Sequence, residues 1–236
     1  MSRSLFIGIL FVVCILVAAA GCTSQPASKT PVVTTTVVTP AVTVAVIAGG
    51  TTEATFNSLP QAPLNETEKA DIIQLQEDQK CITDINAVLA TQHPDVPVFQ
   101  NLANASKIYQ TADNIILTRY GIPNPESTIP GKFTSQKLQL AYNNAVNTGS
   151  MSVRDALYVD ATAEEMHIAD LNAALGRTDN TDLQFIYRQE LAFSRNNLRS
   201  INQWITAYGS AYTPTYITVD YYNALTNSPV EQIPVR

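Results

Sequence analysis

Between Glu66 and Tyr208 every proline and glycine falls at a break in an otherwise helical pattern. Inside a helix, glycine costs roughly 1 kcal/mol and proline roughly 3 relative to alanine, so a chain that confines both to its breaks is built for long helices. The breaks predict helices over about 66–92, 98–120, 134–148, 152–175 and 181–208. Asn65 with Glu68 three residues on forms a capping-box pattern that opens the first helix, and His93-Pro94 closes it. Gly121, Gly149, Gly176 and Gly209 stand where left-handed C-terminal caps are expected. Four long helices and one short one read as an all-α fold: a four-helix bundle with one extra short helix over 65–208, followed by a tail over 209–236.

The apolar seams agree with this and carry an interruption. The first helix presents Ile72, Leu75, Gln79, Ile82, Asn86 and Leu89 at 3–4 spacing. The second presents Phe99, Leu102, Ser106, Tyr109, Asp113, Ile116 and Tyr120. The 152–175 helix gives Leu157, Ala161, Glu164, Ile168, Leu171 and Leu175. The last gives Leu183, Tyr187, Leu191, Ser194, Leu198, Ile201 and Ile205. Each seam carries a polar residue near its midpoint: Gln79, Ser106, Glu164 and Ser194. In an antiparallel bundle these midpoints share a layer, with Tyr109, His167 and Asn197 three residues further along. A buried polar layer has to be satisfied by hydrogen bonds, water or metal.

The chain resembles a ferritin-like domain family of unknown function found in prokaryotic, often exported, proteins. The resemblance runs from about Leu64 to Leu225. It rests on Phe99-Gln100-Asn101-Leu102-Ala103, Tyr120-Gly121, Ile168-Ala169-Asp170-Leu171, Ser194-Arg195-Asn196-Asn197-Leu198-Arg199 and Tyr212-Thr213-Pro214. It implies a ferritin-like bundle and no established activity. It also implies that the di-iron ligands are mostly substituted. Glu77-Asp78-Gln79-Lys80 stands for a Glu-rich motif, Ser106-Lys107-Ile108-Tyr109 for Glu-x-x-His, and Asn197 for a histidine, while His167 replaces a usual aspartate. A di-iron centre wants about four carboxylates and two histidines converging.

Two functional readings follow. In the first, the bundle is a noncatalytic binding or structural module whose layer is closed by hydrogen bonds. Gln79, Ser106, Tyr109, Ser194 and Asn197 suit this, since each donates and accepts. In that reading no cofactor is expected. In the second, a mononuclear iron, manganese or zinc ion is held by Glu164, His167 and a third ligand such as Asp78 or Tyr109. Nothing nominates the open coordination position and base that a metal enzyme needs.

The N-terminus reads as address and tether. Arg3 precedes an unbroken apolar run from Leu5 to Ala20. Sixteen helical residues rise about 24 Å, short of the roughly 30 Å hydrocarbon core, which is the size of a signal-peptide core. Ala19-Ala20-Gly21-Cys22 resembles a lipobox. It predicts cleavage after residue 21, lipid on Cys22, and a protein anchored at the outer face of the cytoplasmic membrane. An ordinary cleaved signal and a retained anchor are the alternatives. Residues 22–64 carry five prolines, many Thr and Val, and only Lys29 and Glu53 as charges, so they read as a flexible linker spanning roughly 40 Å. Pro40 argues against a central strand in its Val/Thr run.

Composition removes other classes. With 14 Lys+Arg against 20 Asp+Glu and no basic run, there is no footprint for nucleic acid. Two histidines and three cysteines do not build a Cys/His zinc framework or a disulfide scaffold. With Cys14 in the signal and Cys22 under lipid, Cys81 is left as a small buried hydrophobe. No GxSxG, phosphate-cradling glycine loop or Cys-x-x-Cys occurs. The pairs Glu77-Asp78 and Glu164-Glu165 are not dyads by adjacency, because neighbours on a helix point about 100° apart. The tyrosines at 208, 212, 216, 221 and 222 read as rings laid along the bundle, or as a carbohydrate or partner surface. A protein partner and the oligomeric state are not legible in the chain.

Overall fold

The computed structural model describes residues 49–232; the side chains of 49–52, 108 and 111–113 are excepted. The expected signal segment, Cys22, the expected linker up to residue 48 and the Asp113 side chain lie outside the described residues. All described secondary structure is helical: α1 (Gly49–Ser58), α2 (Glu66–Gln92), α3 (Pro97–Tyr120), α4 (Gln136–Gly149), α5 (Val153–Leu175), α6 (Thr181–Ala207) and α7 (Val219–Thr226). Among the described residues no helix is long and apolar enough to cross a membrane.

Helices α2 and α3 form one hairpin and α5 and α6 a second, and the two pack as a four-helix bundle. Helix α2 runs antiparallel to α5: Asp71 pairs with Arg177, Gln74 reaches Asp170, and Asn86 reaches Asp160, so the numbers fall on one helix as they rise on the other. Helix α4 lies over α2 and α5, and α1 packs on α3 and α6. The predicted seams are buried, including Ile72, Leu75, Ile82 and Leu89 on α2 and Leu183, Tyr187, Leu198 and Ile205 on α6.

The helix ends follow local chemistry. Asn65 Oδ1 accepts from Glu68 N and Asn65 N donates to Glu68 Oε2, both at 2.9 Å, which completes the capping box. The other Glu68 oxygen accepts from Thr178 Oγ1 at 2.5 Å and Asn180 Nδ2 at 3.0 Å, so the same side chain ties α2 to the turn before α6. Gly121 caps α3 at φ 63°, a conformation that favours glycine. Gly149 serves a different purpose from the expected left-handed cap. It is the last residue of α4, and a Cβ there would meet Leu89 Cδ2 at 2.5 Å, so it lets α4 approach α2 closely. Gly176 is right-handed, at φ −74°.

Composition places residues 49–58 in the linker, whereas the structure makes them α1. The reason is tertiary. Phe56 is fully buried, and the Arg119 guanidinium lies over its ring at 4.8 Å while donating to Phe56 O at 3.2 Å and Leu59 O at 2.6 Å. The tail also holds a helix, α7, whose Tyr222 and Leu225 are buried. Beyond it, Glu231 pairs with Arg195 and Arg199 on α6.

Candidate functional site

The polar residues of the seams lie inside the bundle. Gln79 and Asn86 on α2, Ser106 and Tyr109 on α3, Glu164 and His167 on α5, and Ser194 and Asn197 on α6 are all buried. Asp160, one turn before Glu164, belongs with them and is missing from the seam read along the sequence. Its spacing to Glu164 and His167, four and then three residues, is the signal that places it on the same stripe.

Two amides close the carboxyl groups. Asn197 Nδ2 donates to Glu164 Oε1 at 2.8 Å. Asn86 Nδ2 donates to Asp160 Oδ1 at 3.0 Å and to Ile82 O at 3.2 Å. Burial pushes Asp160 up to about 7, with the Asn86 amide opposing it. Burial, and then the nearby Asp160, push Glu164 up to about 8 against the Asn197 amide and the Ser194 hydroxyl. Burial pushes His167 down to about 4. Near neutral pH the layer therefore carries little net charge, as a water-poor interior demands. Glu164 Oε2 and both His167 ring nitrogens have no hydrogen-bond partner among the described residues. Tyr109 stacks on Phe193 of α6 with ring centroids 3.5 Å apart.

Adjacent carboxylates separate as helix geometry requires. Glu164 faces the layer, whereas Glu165 accepts from Tyr212 Oη at 2.6 Å, Ile217 N at 2.8 Å and Tyr216 N, which clamps the tail to α5. Glu77 accepts from Thr134 N at 3.3 Å and from the Thr134 hydroxyl. Asp78 points elsewhere, within 3.5 Å of the Gln74 amide, which also reaches Asp170 at 3.4 Å.

Asp78 and His167 both line a cleft of about 370 Å³ enclosed by α2, α4 and α5. Its walls are mainly apolar, with Ile82, Ile85, Leu138, Ala145, Val159 and Ala163 among them. Burial, then Asp170 and Glu77, push Asp78 up to about 7, opposed by Gln74 and Lys137. Cys81 also lines the cleft, and burial raises its thiol to about 12. Glu164 does not line it. Among the described residues no group of three or more His, Cys, Asp or Glu side chains is placed to hold a metal ion.

The profile of an uncharacterized protein domain family, DUF2202, matches residues 68–229. The chain belongs to the DUF2202 family. The match takes in α2 to α7, and with them the whole polar layer and the cleft. The chain is also 34% identical over 178 residues to the uncharacterized protein MJ0754 of Methanocaldococcus jannaschii, covering 75% of this chain and 96% of that protein. The crystal structure of hypothetical protein MJ0754 superposes with a TM-score of 0.71 at 34% identity, over 74% of this chain and 99% of the other. The helical bundle of this DUF2202 chain is thus similar to one seen in a crystal.

Proposed function

We propose that this DUF2202 chain is a noncatalytic binding or structural module of ferritin-like type, held at the outer face of the cytoplasmic membrane by lipid on Cys22. The observation that carries the reading is the Asn197 amide on Glu164 Oε1 at 2.8 Å. An amide N–H on that oxygen occupies a lone pair that a metal would use and aims a donor, not a ligand, at the centre. Asn86 does the same to Asp160. The residues present do not fit a di-iron centre: the layer holds one histidine, and its two carboxyl groups are raised toward neutral forms by burial. Membrane placement is supported by the lipobox-like ending at Cys22 and the linker behind it.

The second reading, a mononuclear iron, manganese or zinc site at Glu164 and His167 with Asp78 or Tyr109, is favoured by Glu164 Oε2 and the two unpartnered His167 nitrogens. Elemental analysis separates the two. The full chain, produced with iron, manganese and zinc supplied, is expected to retain none of them stoichiometrically, and its melting temperature is expected to be unchanged by chelator. Stoichiometric metal that disappears in His167→Ala would establish the second reading in place of the first.

A further inference from the structure

The cleft between α2, α4 and α5 is the feature that the polar layer does not explain. Its volume, about 370 Å³, falls in the range of small-molecule sites. Its shape follows from the helices. The α5 residues that line it run from Asp155 through Tyr158, Val159, Thr162, Ala163, Met166 and His167 to Asp170, a rise of roughly 22 Å along one face. The cleft is therefore elongated along the bundle axis.

Helix α4 covers it loosely. Gly149, at its end, is the one residue of α4 that is buried, whereas Leu138 and Ala145 face the cleft and remain partly exposed. Leu138, Tyr142 and Ala145 pack on the core from this helix, and its ends are fixed by Gly149 beside Leu89 and Ala156 and by the Thr134 and Gly131 bonds to Glu77 and Asp84.

Polarity is concentrated toward one end. Because α2 and α5 are antiparallel, Asp78 on α2 stands near the level of His167 and Asp170 on α5, and the Gln74 amide reaches both carboxylates. Among the described residues lining the cleft there is no Lys or Arg, although Lys137 lies near this end. His167 is 1% exposed, forms part of the wall, and has neither ring nitrogen hydrogen-bonded among the described residues. A buried polar group without a partner is costly, which is a reason to look for one in a ligand.

We propose that this cleft binds an elongated apolar molecule ending in a protonated amine, with the hydrocarbon along α5 and the ammonium at the end marked by Asp78 and Asp170, where His167 forms part of the wall. The apolar walls take the body of the ligand. Burial holds Asp78 up to about 7, and a cation beside it favours its ionised form, so the Asp78 and Asp170 pair complements an ammonium and disfavours an anion. A neutral imidazole can accept a hydrogen bond from the ammonium, while the choice of an amine over a carboxylate head comes from Asp78 and Asp170. The inference deepens the reading of the bundle as a binding module and rests on it.

The test is calorimetric titration of the full chain, held in phosphatidylcholine nanodiscs, with octylammonium, octanol and octanoate. One site per chain is expected for octylammonium, with at least tenfold tighter binding than octanol, and octanoate weakest. Ala163→Phe fills the cleft from its partly exposed wall and is expected to abolish the saturable site, leaving only partitioning into lipid. Should that variant melt early, Ala145→Phe on α4 serves the same purpose. Asp170→Asn is expected to bring octylammonium down to the level of octanol. Octanoate binding as tightly as octylammonium would overturn the amine assignment while leaving the binding module in place. Octylammonium binding untouched by Ala163→Phe or Ala145→Phe, or absent altogether, would overturn the cleft as its site. Because the metal reading also uses His167, the titrations are run on chain that elemental analysis has shown to be metal-free, so stoichiometric metal would overturn the noncatalytic reading by itself and a failed titration of metal-free chain would overturn the amine site.

Discussion

The Nδ2 amide of Asn197 on α6 stands 2.8 Å from Oε1 of Glu164 on α5, and the pairing recurs at 3.0 Å between Asn86 on α2 and Asp160 on α5. Each amide gives a buried carboxyl group the donor it needs, so α5 is linked through side chains to helices on two sides. Both pairs are buried, where such a bond is strong and its loss is felt.

Removing one partner should cost more than removing both. Asn86→Ala leaves Asp160 buried without its donor and is expected to lower the unfolding free energy by about 2 kcal/mol. Replacing both, as Asn86→Leu with Asp160→Leu, is expected to recover most of that loss, because an apolar pair leaves nothing unsatisfied. Urea unfolding of the three chains at one pH checks this. A double variant no more stable than Asn86→Ala would contradict it.

The layer also sets how stability depends on pH. Glu164 rises to about 8 from 4.5 and Asp160 to about 7 from 3.8. The folded chain thus keeps protons that the unfolded chain releases, so their contribution is full below pH 4 and is lost as pH rises through 7 and 8. His167, lowered to about 4 from 6.5, acts in the opposite sense: its contribution is full above pH 6.5 and is lost as pH falls through 4. Two carboxyl groups outweigh one imidazole, so the unfolding free energy should fall from pH 5 to pH 8, by on the order of 1.4 kcal/mol per unit for each uncompensated group. Glu164→Gln keeps the acceptor for Asn197 and cannot ionise. It should match the native chain at pH 4 and exceed it at pH 8. A gap that does not change with pH would refute the assignment.

Glu165 predicts a local effect. Glu165→Ala removes the acceptor of Tyr212 Oη and of two backbone amides, so residues 211–217 should exchange amide hydrogens much faster. The helix α2 amides should change far less. Hydrogen exchange read by mass spectrometry resolves the two regions, and uniform acceleration across both would mean that the clamp is not local.

Cys22→Ser tests the anchor. Two acyl chains on one residue hold a protein on a membrane stably, and none does not. Fractionation of cells is therefore expected to move the variant from the membrane to the soluble fraction. Retention on the membrane would show that something other than lipid on Cys22 holds the chain.

Much of the bundle is legible in the amino-acid sequence. Helix length and boundaries are local properties of the chain, and the 3–4 periodicity of Ile72 to Leu89 or Leu183 to Ile205 identifies the faces that are buried. The same periodicity places Gln79, Ser106, Glu164 and Ser194 in the interior, and the Asn65 capping box is written in four residues. Partners are not legible. Asn86 finds Asp160 across 74 residues and Tyr216 finds Glu165 across 51, and such meetings depend on how far each helix is rotated and slid against its neighbour. For the same reason a single buried Phe56 turns linker-like sequence into α1. The cleft is the extreme case, since an unfilled space belongs to no residue and exists only where α4 fails to close on α2 and α5. Sequence alone determined which side chains go inside; only the tertiary structure decided which of them meet, because periodicity lives within one helix and pairing between two.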